Sequence, residues 1–397
     1  MTKTTYIASL FSVLALAAII TASNRSDTSE KHSVPSTENR VEGSKITEAE
    51  KIALGKAIFF DTELSEPAGQ ACASCHDPKA GFANPDHRFA TSKGAVEGLF
   101  GERNAPTIAY SHYSPEFYYD GMGYIGGQFL DGRAATLEAQ SEGPPLNPVE
   151  MHNPDPSAYA AKFAKAPYAG ELKRIYGPSV FATPKQTMAA AADALATYER
   201  SSEVAQFTSK FDAYLRGKAK LTPKELKGLK LFNSKANCWV CHPSSNEDLT
   251  TVHGLFTEYD YHNLGVPKNR DNRFYSLPEQ YNPDGTRFID IGLARNPAVI
   301  AQGRASESRG KFKTPTLRNI ALTAPYMHNG VFKSLKEVVS FYNTRDLKPS
   351  KWGKPEIEEN IENEVVGNLR LTSEEEEAIV AFLLTLTDGY SPSSETK

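Results

Sequence analysis

The sequence is sparing with cysteine, with β-strand signals and with net charge. Among 397 residues there are four cysteines, and the formal net charge is −4. So small a charge gives no argument for nucleic acid or an anionic membrane as partner. Strand signals are few and short, which excludes a predominantly β fold and leaves a mainly α one. The βαβ context that a thioredoxin-like dithiol requires is missing as well.

What is there is enough chain for two domains with real cores, and 40% hydrophobic with 23% charged residues fits a soluble globular protein. A long apolar run, YIASLFSVLALAAIITAS, follows Lys3 and ends at the small residues Ala22-Ser23, before the polar Asn24-Arg25-Ser26. That order describes a secretory signal peptide over residues 1–23 and places the protein in the periplasm. Uncleaved, the run approaches membrane-spanning length, so a membrane is involved only if it is retained. No cysteine closes the run, which argues against a lipid-anchored cysteine. Residues 24–45 are polar and read as a flexible leader, with His32 solvated within it.

The four cysteines fall as Cys72-Ala-Ser-Cys75-His76 and Cys238-Trp-Val-Cys241-His242. An exported protein could pair them as disulfides, and two converging pairs could hold zinc. Neither explains a histidine at the same place twice. C-x-x-C-H is the c-type haem attachment sequence, in which two thioethers hold the porphyrin and the adjacent His ligates iron. Two covalent haems then consume all four cysteines and leave no disulfide.

The two motifs sit in an internal repeat. Thr47 with Glu50, and Thr222 with Glu225, signal capping boxes that open amphipathic helices ending at Phe59-Phe60 and Leu231-Phe232. A loop leads from each to its haem cysteines. Closing helices are expected over 183–201 and 371–390. Helix, C-x-x-C-H, loops and closing helix is the layout of a small cytochrome c domain, so the expected fold is mainly α, with two cytochrome c-like domains over 46–216 and 217–397. The long Gly- and Pro-rich loops over 81–160 and 243–330 are expected to be ordered around the haems.

An electron-transfer haem fills both axial positions, whereas one that activates peroxide keeps one open. In the first half His87, His112, Met122, Met151 and His152 are candidates for a sixth ligand, and none stands out. In the second, His253, His262, Met327, His328 and Tyr342 compete, with Met327 favoured by the common Met/His pair. Ser334 and Glu337 cap a helix whose apolar face holds Leu335, Val338, Val339 and Tyr342. By pattern alone, Tyr342 is a core tyrosine.

Residues 46–390 resemble the bacterial dihaem cytochrome c peroxidases and their MauG-type relatives. CASCH, ERNAPT, FLDGRAATLEAQSEGPPLNPVEM, CWVCH and FKTPTLRNIALTAPYMHNG carry the likeness. The resemblance implies a peroxidatic first haem, an electron-relay second haem and a Ca²⁺ ion between the domains. Its catalytic positions match Gln140 and Glu150, with Pro144 lining the same pocket. Its calcium ligands match the Asn104 side chain and the carbonyls of Thr323 and Pro325, hard oxygen donors that suit the ion. A glutamate beside iron can move a proton between the peroxide oxygens while a glutamine stabilises charge.

Three departures from the family pattern narrow the subtype. The peroxidases carry a methionine ligand fourteen residues after the His of PY-x-H-x-G; here that position is Tyr342, as in MauG-type members. A phenolate favours ferric iron and lowers the haem potential. The ligating His of activation-dependent peroxidases is missing from TSKGAVEGLFGE, so the first haem is expected to be open, with His87 the only nearby rival. Leu130 replaces the usual inter-haem tryptophan before DGR, and Tyr118, Tyr119 or Tyr124 could carry holes instead. The resemblance thus implies an exported enzyme that reacts with hydrogen peroxide and oxidises a partner protein by long-range electron transfer. The alternatives are a peroxide-scavenging peroxidase fed by a small cytochrome c or cupredoxin, and a non-enzymatic dihaem electron carrier. A monomer and a homodimer both fit.

Overall fold

Thr47 Oγ1 accepts the backbone N–H of Glu50 at 3.3 Å, and Glu50 Oε2 accepts that of Thr47 at 2.8 Å. This reciprocal cap opens the helix Glu48–Phe59, and Thr222 with Glu225 opens Pro223–Phe232 in the same way. The computed structural model describes residues 46–244 and 252–391. The expected signal peptide (1–23) and leader (24–45, with His32) lie outside the described residues, as does the side chain of His253. Among the described residues no helix is long and apolar enough to cross a membrane.

Each opening helix crosses a closing one at close range. A Cβ at Gly55 would lie 1.9 Å from the carbonyl oxygen of Ala194, and one at Gly228 would lie 1.9 Å from that of Ala378. Only glycine permits either approach, because any side chain would displace backbone. The closing helices are Pro184–Glu199 and Ser373–Leu384. The second is shorter than the expected 371–390. Asp388 leaves the helical path to accept hydrogen bonds from Tyr110 at 2.6 Å and Asn319 at 2.9 Å.

The remainder is short helices, turns and two antiparallel ribbons, Tyr118–Tyr119 with Tyr124–Ile125 and Tyr261–His262 with Phe312–Lys313. The fold is therefore mainly α, with the long loops threaded by short helices such as Leu137–Ser141 and Gly143–Leu146. The first large hydrophobic cluster gathers Phe59, Phe163, Leu195 and Tyr198; the second gathers Phe211, Phe232, Phe256 and Phe382. A fully buried ion pair, Arg318 to both oxygens of Asp212 at 3.0 Å, ties the loop FKTPTLRN to the helix Lys210–Leu215. The guanidinium holds the Asp212 carboxyl below the usual range although burial opposes it.

Candidate active site

Cys72 and Cys75 sit on a single helical turn, with His76 capping it. All three line a cavity of about 680 Å³. His76 Nδ1 lies 3.2 Å from the carbonyl oxygen of Phe82, a residue turned to φ 59°. A carbonyl only accepts, so Nδ1 carries the proton and the Nε2 lone pair is left free. Cys238, Cys241 and His242 line a second cavity of about 230 Å³. His242 Nδ1 is 2.7 Å from the carbonyl oxygen of Phe256, again at positive φ, 56°. Burial lowers the basicity of both imidazoles and keeps them neutral, the form that ligates iron.

Covalent haem fits these residues on three counts. First, all four cysteines are free. Burial pushes Cys72, Cys75 and Cys238 up to about 12, the opposite of the lowered pKa a redox dithiol needs. Second, the two cysteine pairs line different cavities, and among the described residues no metal-ligand cluster joins them, which removes the zinc reading. Third, Lys313 lines both cavities and forms no ion pair among the described residues; burial lowers its ammonium to about 7. A cation so placed suits a porphyrin carboxylate.

Glu150, Gln140 and Pro144 all line the first cavity. Asn147 Nδ2 donates to Glu150 Oε1 at 2.8 Å. Burial raises the Glu150 carboxyl to about 7, against the opposing pull of Arg133. Arg133 is itself held over the Phe129 ring at 3.6 Å and bonded to Asp131 at 2.8 Å. Of the sixth-ligand candidates in this half, only Met151 lines the cavity, and it is buried in the first hydrophobic cluster. His87 and Met122 are exposed. His152 Nδ1 bonds to Glu66 O at 3.1 Å, and His112 lies outside the cavity lining.

In the second cavity the candidates converge instead of separating. Tyr342, Met327, His328 and His262 all line it with His242. Tyr342 projects from the helix Leu335–Thr344, opened by the expected Ser334–Glu337 cap. Burial pushes its phenol up. His262 Nε2 is 2.6 Å from Asp260 Oδ2. A carboxylate only accepts, so that nitrogen donates to Asp260 and offers no lone pair to iron. The nearby Cys241–Asp260–His262 cluster loses its sulfur ligand once Cys241 carries haem.

Asn104, Thr323 and Pro325 also line the second cavity, and Asn104 Nδ2 donates to the Pro325 carbonyl at 2.5 Å. Leu130 lines both cavities and forms part of their common wall with Asn104 and Lys313. Arg103 braces that wall by pairing Asp290 at 2.5 Å and Asp131 at 2.7 Å.

Sequence reasoning missed four residues of the site. Asn147 and Arg133 lie within FLDGRAATLEAQSEGPPLNPVEM and could have been marked by that motif. Lys313 lies in FKTPTLRN. Glu199 had no signal: it ends the closing helix as an apparent surface acid. Yet it lines the first cavity, has one oxygen buried without a partner, and is raised to about 8 by burial.

Two cavities, each built on C-x-x-C-H with an oriented histidine, define a dihaem c-type oxidoreductase. Residues 49–220 match the family described as di-haem cytochrome c peroxidase. The chain is 38% identical to the methylamine utilization protein MauG of Paracoccus denitrificans, over 86% of this chain and 89% of that protein. It is 32% identical to the cytochrome c peroxidase Ccp of Escherichia coli, over 88% of this chain and 61% of that protein. Among solved structures, the diheme peroxidase BthA of Burkholderia thailandensis superposes with a TM-score of 0.78 at 34% identity, covering 87% of this chain and 90% of that one. The chain belongs to the dihaem cytochrome c peroxidase and MauG family and holds two c-type haems.

Proposed function

We propose that this protein is an exported enzyme that reduces hydrogen peroxide at its first haem and oxidises a partner protein through its second, in the manner of MauG. The observation that carries the reading is Glu150, a carboxyl raised to about 7 in the cavity that holds Cys72, Cys75 and His76. The haem held by Cys72, Cys75 and His76 would supply the electrons for peroxide reduction. Asn147 fixes Glu150 Oε1 and leaves Oε2 to take a proton from one peroxide oxygen and return it to the other, so that water leaves. Gln140 donates a hydrogen bond to the charge that develops. The absence of a histidine from TSKGAVEGLFGE, and the exposed position of His87, support an open site at rest.

In the same reading the chain divides into cytochrome c-like halves at 216/217, and Tyr342 and His242, which line one cavity, would both hold the second haem iron. Calcium binds the Asn104 side chain and the carbonyls of Thr323 and Pro325, which tethers the two halves. A tyrosine ligand lowers the potential of the second haem and makes it a poor acceptor from a small cytochrome c or cupredoxin.

Adding hydrogen peroxide to the diferric holoprotein tests the proposal. The expected result is a long-lived change in haem absorbance that holds two oxidising equivalents, counted by titration with reductant. A requirement for prior half-reduction would instead assign the protein to peroxide scavenging.

A further inference from the structure

Tyr118, Tyr119 and Tyr124 are the sequence's candidates to carry holes in place of the missing tryptophan between the haems. Their placement leads elsewhere. Tyr119 and Tyr124 are direct cross-strand partners, with ring centroids 5.0 Å apart. Tyr124 stacks on Phe117 at 5.1 Å and 5°, and Phe117 meets the edge of Tyr261 at 6.0 Å. Tyr261 is the strand partner of Lys313, which lines both cavities. The rings thus form one chain that starts behind the shared wall and ends at the surface. Tyr118, on the other face of the same short strand, is outside it and exposed.

We infer that Tyr261, Tyr124 and Tyr119 form a relay that carries oxidising equivalents from the wall between the cavities out to Tyr119, where a soluble one-electron donor is oxidised. This rests on the peroxide reading above. Tunnelling falls off steeply with distance, and each neighbouring pair of rings here is in or near contact. Phe117 is too hard to oxidise to hold a hole, so it bridges Tyr261 and Tyr124 without being a station.

Proton acceptors decide where the hole stops. The hydroxyl of Tyr261 donates to the Gly126 carbonyl at 2.6 Å, and that of Tyr124 to Gln302 Oε1 at 2.8 Å. Neutral amides do not take a phenolic proton, so both buried tyrosines hold the hole only in passing. Tyr119 is half-buried, and among the described residues its hydroxyl bonds the carbonyl of the exposed Gly121, at 3.1 Å, within reach of water. Arg304, 4.1 Å over the Tyr119 ring, penalises a ring cation and so couples electron loss to proton loss. Reducing one hydrogen peroxide to two waters takes two electrons and two protons. Each electron drawn along the relay leaves Tyr119 as a neutral phenoxyl, its proton gone to water. A donor restores the ring by giving back one electron while a proton returns from solvent.

The test adds peroxide to the diferric holoprotein with a nitroso spin trap, then maps the adduct by peptide mass spectrometry while following haem absorbance. Wild type is expected to carry the adduct on Tyr119, and Tyr119→Phe to lose it. Tyr124→Phe and Phe117→Leu are expected to cut it at least tenfold, with the haem absorbance change intact in every variant. Undiminished labelling of Tyr119 in both relay variants, or an adduct confined to other residues, overturns the relay alone. Absence of any absorbance change in wild type overturns the peroxide reading and the relay with it.

Discussion

Glu150 owes its proposed role to where it sits. Its folded pKa is raised, so between the ordinary carboxylate value and about 7 the folded state holds the extra proton. Stability from this group therefore declines as pH rises through that window. The base form needed for proton transfer grows over the same range. The rate of peroxide reaction, followed by stopped flow, should rise as pH rises through about 7. Glu150→Gln should flatten that profile and lower the rate by about 10²–10⁴-fold; an unchanged rate would remove Glu150 from the mechanism. Tyr342 carries a second prediction at this scale. Tyr342→Phe should alter the low-spin ferric resonance of the holoprotein, whereas a methionine-ligated second haem would leave it as it is. Glu150 and Tyr342 were reached in the sequence through the family pattern. Glu199 was not, because nothing near it marks a helix-terminal acid as facing a cavity.

Among the elements, the paired opening and closing helices repeat the same device. Gly55 against Ala194 and Gly228 against Ala378 let two backbones meet with no side chain between them. Gly228→Ala should lower stability by about 1–3 kcal/mol, as overpacking does, read from thermal or denaturant unfolding of the holoprotein. A neutral effect would show that the helices can slide apart at no cost. The caps at Thr47, Thr222 and Ser334 were legible because a capping box is local, complete within four residues. The glycine contacts were not, since each partner lies more than a hundred residues away. The end of the last helix was misjudged for the same reason: Asp388 answers to Tyr110 and Asn319, not to its own segment.

At the scale of the whole molecule, residues from both halves of the chain build one wall. Asn104, Leu130 and Lys313 line both cavities, and Arg103 joins Asp131 to Asp290 beside them. If calcium bridges Asn104 with the Thr323 and Pro325 carbonyls, a chelator should slow the peroxide reaction and Asn104→Ala should reproduce the loss. Full activity in metal-free buffer would remove the ion from the scheme. The sequence alone determined that two haems are attached, because C-x-x-C-H acts within five residues and needs no distant partner. It also determined the helical frame, through local caps and periodicity. Only the tertiary structure decided that Glu150 is buried enough to hold its proton near neutrality. It alone placed Tyr118 and Tyr119 toward the surface and kept all three tyrosines of 118–124 out of the linings of both cavities. Burial and ring contact depend on what the rest of the chain packs against a residue, and no local pattern records that.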